Sequence, residues 1–409
     1  MASHVRHGAA SGEWMVSTFN SQYKPGLVDG AAHQARFRSP TAVVEIPLEA
    51  FEPREDMQLR DSDGRGPASA VVVADTQNNA LRVAIISHAA AGGKGSYVKK
   101  FATSGVWMRP RGMCCVSDGM LVCDAGHHRI RSVSFDGRRV VPFAGCGKKG
   151  HKDGQVDKAM FDTPSAVCVC PTDGSVIVAD TGNNALRRIH NGMVTTLAGA
   201  GGGVGDDKHA SGLIDGTALA ARFRRPTGVL FDAEESLLVI DSLNHCVRVV
   251  APDWSEVRTL AGAPRLGARD GAVDVAEFHS PEGACLMPDG GVAITDRENN
   301  KVRLLSTGMG EVSTLVGTGQ WGASDGPASL ALLNHPTGIC ALSNGQMVVC
   351  DTGNNCLRVL TPPSASGALG RASSRRTGTS LAGGNWGVGS VLGSDGSAWG
   401  GGDRASGWG

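Results

Sequence analysis

Six aspartates and six arginines stand at one fixed offset along this chain: Asp75 and Arg82, Asp124 and Arg131, Asp180 and Arg187, Asp241 and Arg248, Asp296 and Arg303, Asp351 and Arg358. A carboxylate and a guanidinium seven residues apart can transfer a proton, hold a ligand or brace a turn. Each Asp closes an apolar run such as VVVAD or LLVID, a polar turn follows, and the Arg lies in the next apolar run. On a hairpin the two charges lie across the ladder near the turn, where opposite charges stabilise modestly and the Asp can accept backbone N–H groups of the turn. Repetition in every copy assigns all twelve residues a structural role, and no residue is assigned to catalysis.

The loops ahead of these runs carry different chemistry. Ala-Arg36-Phe-Arg38-Ser-Pro, Trp107-Met-Arg109-Pro-Arg111 and Ala-Arg222-Phe-Arg224-Arg225-Pro are basic and aromatic. The corresponding loops of the last two copies offer His279, Glu282 and His335 instead. Loops that differ on a repeated scaffold are where binding specificity sits. The expected binding face therefore comprises Arg36, Arg38, Arg109, Arg111, Arg222, Arg224 and Arg225, with His127 and His128 nearby. Such a face can hold phosphate or stack bases. The competing reading is a solvated rim, since 39 Lys+Arg balance 39 Asp+Glu and leave no global basic field. His128 and His245 fill a turn position that is Asn in the other four copies, so they do not form a convergent metal cluster.

The elements that position these residues repeat at intervals of 49 to 61 residues. Ahead of five copies stands Asp-Gly, then an aromatic or Leu eight residues after the Asp, then Pro three further on: Asp29 to Phe37 and Pro40, Asp153 to Phe161 and Pro164, Asp215 to Phe223 and Pro226, Asp270 to Phe278 and Pro281, Asp325 to Leu333 and Pro336. The second copy lacks Asp-Gly but keeps Trp107 and Pro110. A V-x-T-L-A-G-like run follows four copies. Four short β-prone runs per unit, each nearly continuously apolar, specify a four-stranded propeller blade whose two faces are both buried. The last copy has no final run of its own. Met15-Val-Ser-Thr-Phe19 supplies it, because Phe19 precedes Asp29 by the same ten residues that separate Leu260 from Asp270 and Leu315 from Asp325. The N-terminal strand is therefore expected to close an all-β, six-bladed ring spanning residues 14–361 and to remove its exposed edges.

The D-x-x-N-[NH]-x-[LIV]-R, F-x-x-P-x-G and V-x-T-L-A-G patterns together resemble the NHL-repeat family of six-bladed β-propellers over about 350 residues. The resemblance implies the fold. It leaves function open, because relatives include RNA-binding propellers, protein-interaction propellers, kinase sensor domains and, more distantly, an amidating lyase. The lyase's His, Tyr and Arg set has no identifiable counterpart among these residues, nor does the calcium constellation of propeller lactonases.

Outside the ring, residues 1–13 are expected to be flexible and 362–409 to form a disordered Gly/Ser-rich tail. That tail carries Trp386, Trp399 and Trp408, each beside Gly, as a candidate partner motif. Residues 48–69 and 200–212 read as inserted loops. No apolar run of membrane-spanning length and no secretory leader are seen, and eleven Cys, mostly in apolar runs, read as reduced core thiols. The expectation is a cytoplasmic, monomeric interaction scaffold for a protein partner, with no cofactor, no metal and no membrane contact. RNA binding through the basic loops and a metal-dependent hydrolase or lyase are the alternatives.

Overall fold

Each apolar run is too short and too β-branched for a helix and is bounded by turn residues, so it forms a strand. The structure, a computed structural model, describes residues 12–20, 24–48, 69–87, 96–199, 211–263, 265–306 and 308–363. Its strands form six antiparallel sheets, the six blades of a β-propeller. From the axis outward, blade 1 runs Pro40–Ile46, Ser69–Asp75, Ala80–Ile86 and Tyr97–Phe101. The innermost strands of blades 2 to 6 are Pro110–Val116, Ala166–Val169, Pro226–Phe231, Pro281–Leu286 and Pro336–Ala341.

Two features differ from the four-strand expectation. Five blades have a fifth, two-residue outer strand, made by the Gly of the Asp-Gly pair and its successor, as in Gly154–Gln155 against Met193 and Val194. Blade 2, which lacks Asp-Gly, has four strands. The pair thus serves as blade edging as well as a turn.

The closure is as the ten-residue offset specifies. Met15–Thr18 pairs with Cys356–Thr361, placing Met15 opposite Thr361 and Thr18 opposite Arg358, and on its other side it meets Gly326–Pro327. Second strands are buried along their whole length, Ser69–Asp75 among them, because each blade packs both faces against neighbours. Phe37, Phe161, Phe223 and Phe278 are fully buried between blades. Burying such side chains contributes roughly 1.5–3 kcal/mol each.

Around the axis the inner strands approach closely. A Cβ on Gly112 would lie 2.4 Å from the Ser165 carbonyl oxygen, and one on Gly283 would lie 2.4 Å from that of Thr337. Glycine at these positions lets adjacent blades converge. No helix among the described residues is long and apolar enough to cross a membrane. The Trp386, Trp399 and Trp408 motif, and nearly all of both inserted loops, lie outside the described residues.

Candidate binding mouth at the propeller axis

Each Asp–Arg pair is the centre of a buried knot. Arg187 lies opposite Val178 in the ladder and reaches back to Asp180, which pairs with Ala185. Its guanidinium donates to Asp180 at 2.8 Å and to Asp153, the Asp of Asp-Gly, at 2.5 Å. It also donates to the carbonyls of Met160 and Lys152 and stacks 5.2 Å over Phe161. Arg82, Arg248, Arg303 and Arg358 repeat both ion pairs, with Asp29, Asp215, Asp270 and Asp325 as second acids. Arg131 of blade 2 has no Asp-Gly carboxylate. It lies 3.5 Å from Asp124 and stacks 4.6 Å over Trp107.

The other oxygen of each aspartate accepts the N–H of the residue two before the Pro position, as Asp241 does from Arg224 at 2.7 Å. The sequence reading assigned that acceptor to turn N–H groups. The structure gives it to the preceding loop, so the carboxylate ties two loops together. Burial pushes the Asp180 and Asp241 carboxyls up to about 6, against the pull of their Arg and Asn partners.

The turn after each Asp is a short 3₁₀ segment ending in a left-handed residue, which is Asn in four blades and His128 or His245 in the others. That side chain clasps the next blade. Asn184 Oδ1 accepts the Arg225 N–H at 2.8 Å, and Asn79 Oδ1 accepts that of Arg109 at 2.8 Å. In the His blades Nδ1 takes this role, accepting from Thr163 and from Ser280, each at 3.0 Å. A protonated ring cannot accept. Burial lowers both His pKa values from their ordinary 6.5. Neutral His is thus favoured in the fold, and this contribution is present above about 6.5 and lost as pH falls through the lowered folded value. A His128→Asn/His245→Asn protein should lose less stability than the parent between about pH 6.5 and pH 5, by roughly 1 kcal/mol per clasp. Parallel denaturant midpoints for the two proteins across that window would remove this role.

Above the clasps the inner strands surround a cavity of about 720 Å³ on the axis. Its mouth gathers Arg109, Arg111, Arg225, Arg297, Glu282 and His335. Arg109, Arg111 and Arg225 are therefore brought together. The other members of the expected face are not among its lining. Arg36 and Arg222 lie against Gly26 and Gly212 and give their carbonyls to Arg82 and Arg248. Arg38 and Arg224 are exposed beside the mouth. His127 Nδ1 bonds Asp124 at 2.9 Å in the place of the first turn Asn, and His128 is a clasp.

Arg297 was not singled out by its loop. It occupies the first position of the 3₁₀ turn, filled elsewhere by Thr76, Ala125, Thr181, Ser242 and Thr352. Aligning the turns would have exposed it.

The guanidinium groups of Arg109, Arg111 and Arg225 make no hydrogen bond or ion pair within the described residues, and Arg111 Nε is fully enclosed. Burial lowers the Arg111 pKa, Glu282 opposes this, and Arg225, Arg109 and Arg297 reinforce it. Arg297 bonds Glu298, which also meets His335 Nε2 at 3.2 Å. The hydroxyls beneath are engaged. Thr41 bonds Thr76, Ser165 bonds Thr181 and Thr337 bonds Thr352, while Thr76, Thr181 and Thr352 donate to the Pro110, Pro226 and Pro40 carbonyls. Among the described residues no group of three or more His, Cys, Asp or Glu gathers as a metal site. The eleven cysteines are free, and burial pushes Cys115 and Cys285 up to about 12.

Comparison with known proteins fits this architecture. The NHL repeat profile matches residues 161–189, 278–303 and 333–360. Protein SUPPRESSOR OF QUENCHING 1, chloroplastic, of Arabidopsis thaliana is 26% identical over 268 residues, 62% of this chain and 25% of that protein. NHL repeat-containing protein 2 of Gallus gallus is 25% identical over 325 residues, 59% of this chain and 44% of that protein. The chain thus spans less than half the length of these relatives. An auxiliary nutrient binding protein from Bacteroides ovatus shares the fold, with TM-score 0.60 at 16% identity over 86% of this chain and 77% of that one. With the repeat matched in blades 3, 5 and 6 and the two-acid knot built in every blade but the second, the chain is an NHL-repeat six-bladed β-propeller protein.

Proposed function

We propose that this propeller is a non-enzymatic interaction scaffold that presents the arginine-rich mouth of its axial cavity to a protein partner. The observation that carries this reading is the set of three guanidinium groups that have no hydrogen-bonding or ion-pair partner among the described residues and line a cavity of about 720 Å³. Arginine is a frequent anchor of protein interfaces, and its planar fork recognises carboxylates and phosphates. The hydroxyls of Thr41, Ser165, Thr227 and Thr337 around the axis are spent on neighbouring hydroxyls and backbone carbonyls, which favours binding over nucleophilic chemistry. RNA is the second reading, favoured by Arg38 and Arg224, which stand exposed beside the same mouth.

Full-length tagged protein, purified from its native cells with and without ribonuclease, tests this beside an Arg109→Ala/Arg225→Ala variant. Partners that survive ribonuclease and are lost from the variant are expected. Partners that vanish with ribonuclease transfer the reading to RNA, and partners retained equally by the variant overturn the assignment of the mouth.

A further inference from the structure

Six positions surround the axis one residue after the Pro position: Thr41, Arg111, Ser165, Thr227, Glu282 and Thr337. Four carry a hydroxyl that bonds a neighbouring hydroxyl or carbonyl. The two exceptions are in blades 2 and 5, which face each other across a six-membered ring. In the same two blades the hydroxyl at the start of the 3₁₀ turn is missing, replaced by Ala125 and Arg297. The repeat has thus been broken twice in each of two opposed blades, and at the axis the outcome is Arg111 facing Glu282, with Arg297 beside the latter.

Arg111 has a structural alternative, a guanidinium whose two terminal nitrogens are bonded to carboxylates and carbonyls, as in the knot of Arg187. It does not adopt it. Its knot-forming counterparts each reach one or two carboxylates and two or more protein acceptors are within reach of Arg187, whereas Arg111 has no hydrogen-bonding partner among the described residues. Its enclosure removes part of its hydration, and its nearest like charges are Arg225, Arg109 and Arg297. Such crowding of like charges in a semi-enclosed site is costly unless an anion enters. The balance can be read directly. Arg297 and Glu298 neutralise each other, and Glu282 offsets one of Arg109, Arg111 and Arg225, leaving two positive charges at the mouth.

We propose that the axial mouth is a specific site for a doubly charged oxyanion of the phosphate class, held by Arg111 with Arg109 and Arg225 around it and limited by Glu282. The proposal deepens the scaffold reading by naming the chemistry the mouth recognises. Glu282 acts as a selectivity element, repelling an anion that is too large to stay on the arginine side. The oxyanion can be free or can be borne on a phosphorylated side chain of the partner, and both sources use the same fork geometry.

Calorimetric titration of the full chain at low salt with inorganic phosphate, and in a second arm with a phosphoserine peptide, tests the site. One saturable site is expected for phosphate. Arg111→Met should weaken it at least tenfold, and Arg111→Lys should weaken it less, because charge is kept while the fork is lost. Glu282→Gln should tighten it several-fold, a gain that a merely unfolded or loosened variant cannot produce. Arg138→Ala, on an exposed turn at the opposite end of blade 2, should leave it unchanged. Tighter binding of the peptide than of phosphate identifies a phosphorylated partner, and equal binding identifies a free phosphate compound. An absence of saturable phosphate binding, or Arg111→Met and Glu282→Gln both matching the parent, overturns the site. Partner capture is read separately, so a scaffold that captures protein without binding phosphate, or the converse, shows which of the two readings has failed.

Discussion

Replacing Arg248 with Met is expected to destabilise the ring by about 3–5 kcal/mol, the range found when one partner of a buried ion pair is removed. The side chain is fully buried, and it is the shared donor to Asp241 at 3.0 Å and Asp215 at 2.5 Å. Its loss also removes one of the two donors to the carbonyls of Arg222 and Ile214, which keep only each other's backbone N–H, and the guanidinium stacked 5.2 Å from Phe223. Asp241 is the more damaging orphan, since it is wholly buried, while Asp215 is 48% exposed and can turn to water. Arg131→Met should cost distinctly less, because blade 2 lacks the second acid, Arg131 lies 3.5 Å from Asp124, and His127 and Arg129 still hold that carboxylate. Equilibrium urea unfolding of the two variants checks the ranking. Equal losses, or a loss below about 1 kcal/mol for Arg248→Met, would mean that the knot is not what holds blade to loop.

That ranking follows from a feature only half legible in the sequence. The seven-residue offset, the Asp-Gly spacing and the ten-residue step from Phe19 to Asp29 are local or strictly periodic, and they specify blade number and closure. The second acid of each knot is 33 to 53 residues from its Arg, as Asp215 is from Arg248 and Asp29 from Arg82. Nothing in a linear pattern says that the carboxylate of a turn-forming Asp also accepts from an Arg one blade-length away. The signal was nevertheless present in blade 2, where the missing Asp-Gly accompanies the only Trp at the stacking position, Trp107, whose ring gives the shorter cation–π distance of 4.6 Å.

The candidate site shows the complementary limit. Basicity alone grouped Arg36, Arg38, Arg222 and Arg224 with Arg109, Arg111 and Arg225, but only the last three line the cavity. Residues two and four before the Pro position do not line the cavity, whereas all six residues after it and Ser39, Arg109, Arg225 and His335 immediately before it do. Arg36 shows why a basic side chain can be recruited for its backbone, its carbonyl accepting from Arg82 at 3.0 Å. In a repeat protein, a residue shared by all blades builds the scaffold, and a residue that departs from its five counterparts at an axial position is free to serve a ligand. Arg111, Glu282 and Arg297 all meet that criterion, and His127 and His128 do not, since each substitutes for Asn in the same bond.

Deleting residues 1–20 is expected to remove folding of the isolated ring at ordinary temperature. Met15–Thr18 pairs on both edges, so its loss strips the outer strand from Cys356–Thr361 and leaves Gly326–Pro327 unpaired. Val16 and Phe19 are 2% and 1% exposed, and their burial contributes roughly 3–6 kcal/mol together. Asn20 also accepts the Leu357 N–H at 2.9 Å and donates to the Asn355 carbonyl. Thr18 holds Asp325 through its N–H and hydroxyl, at 3.0 and 2.8 Å, and Asp325 braces Arg358 at 2.7 Å. The deletion therefore loosens the blade 6 knot as well as opening the ring. The combined cost reaches at least about 5 kcal/mol, the lower end of the total stability of a folded domain. Circular dichroism and thermal unfolding of the truncated chain read the effect, and a peptide of residues 1–20 added in trans should restore the transition with a midpoint that rises with peptide concentration. Unfolding of the truncation at the parent's midpoint would mean that the ring is held shut by something other than its N-terminal strand.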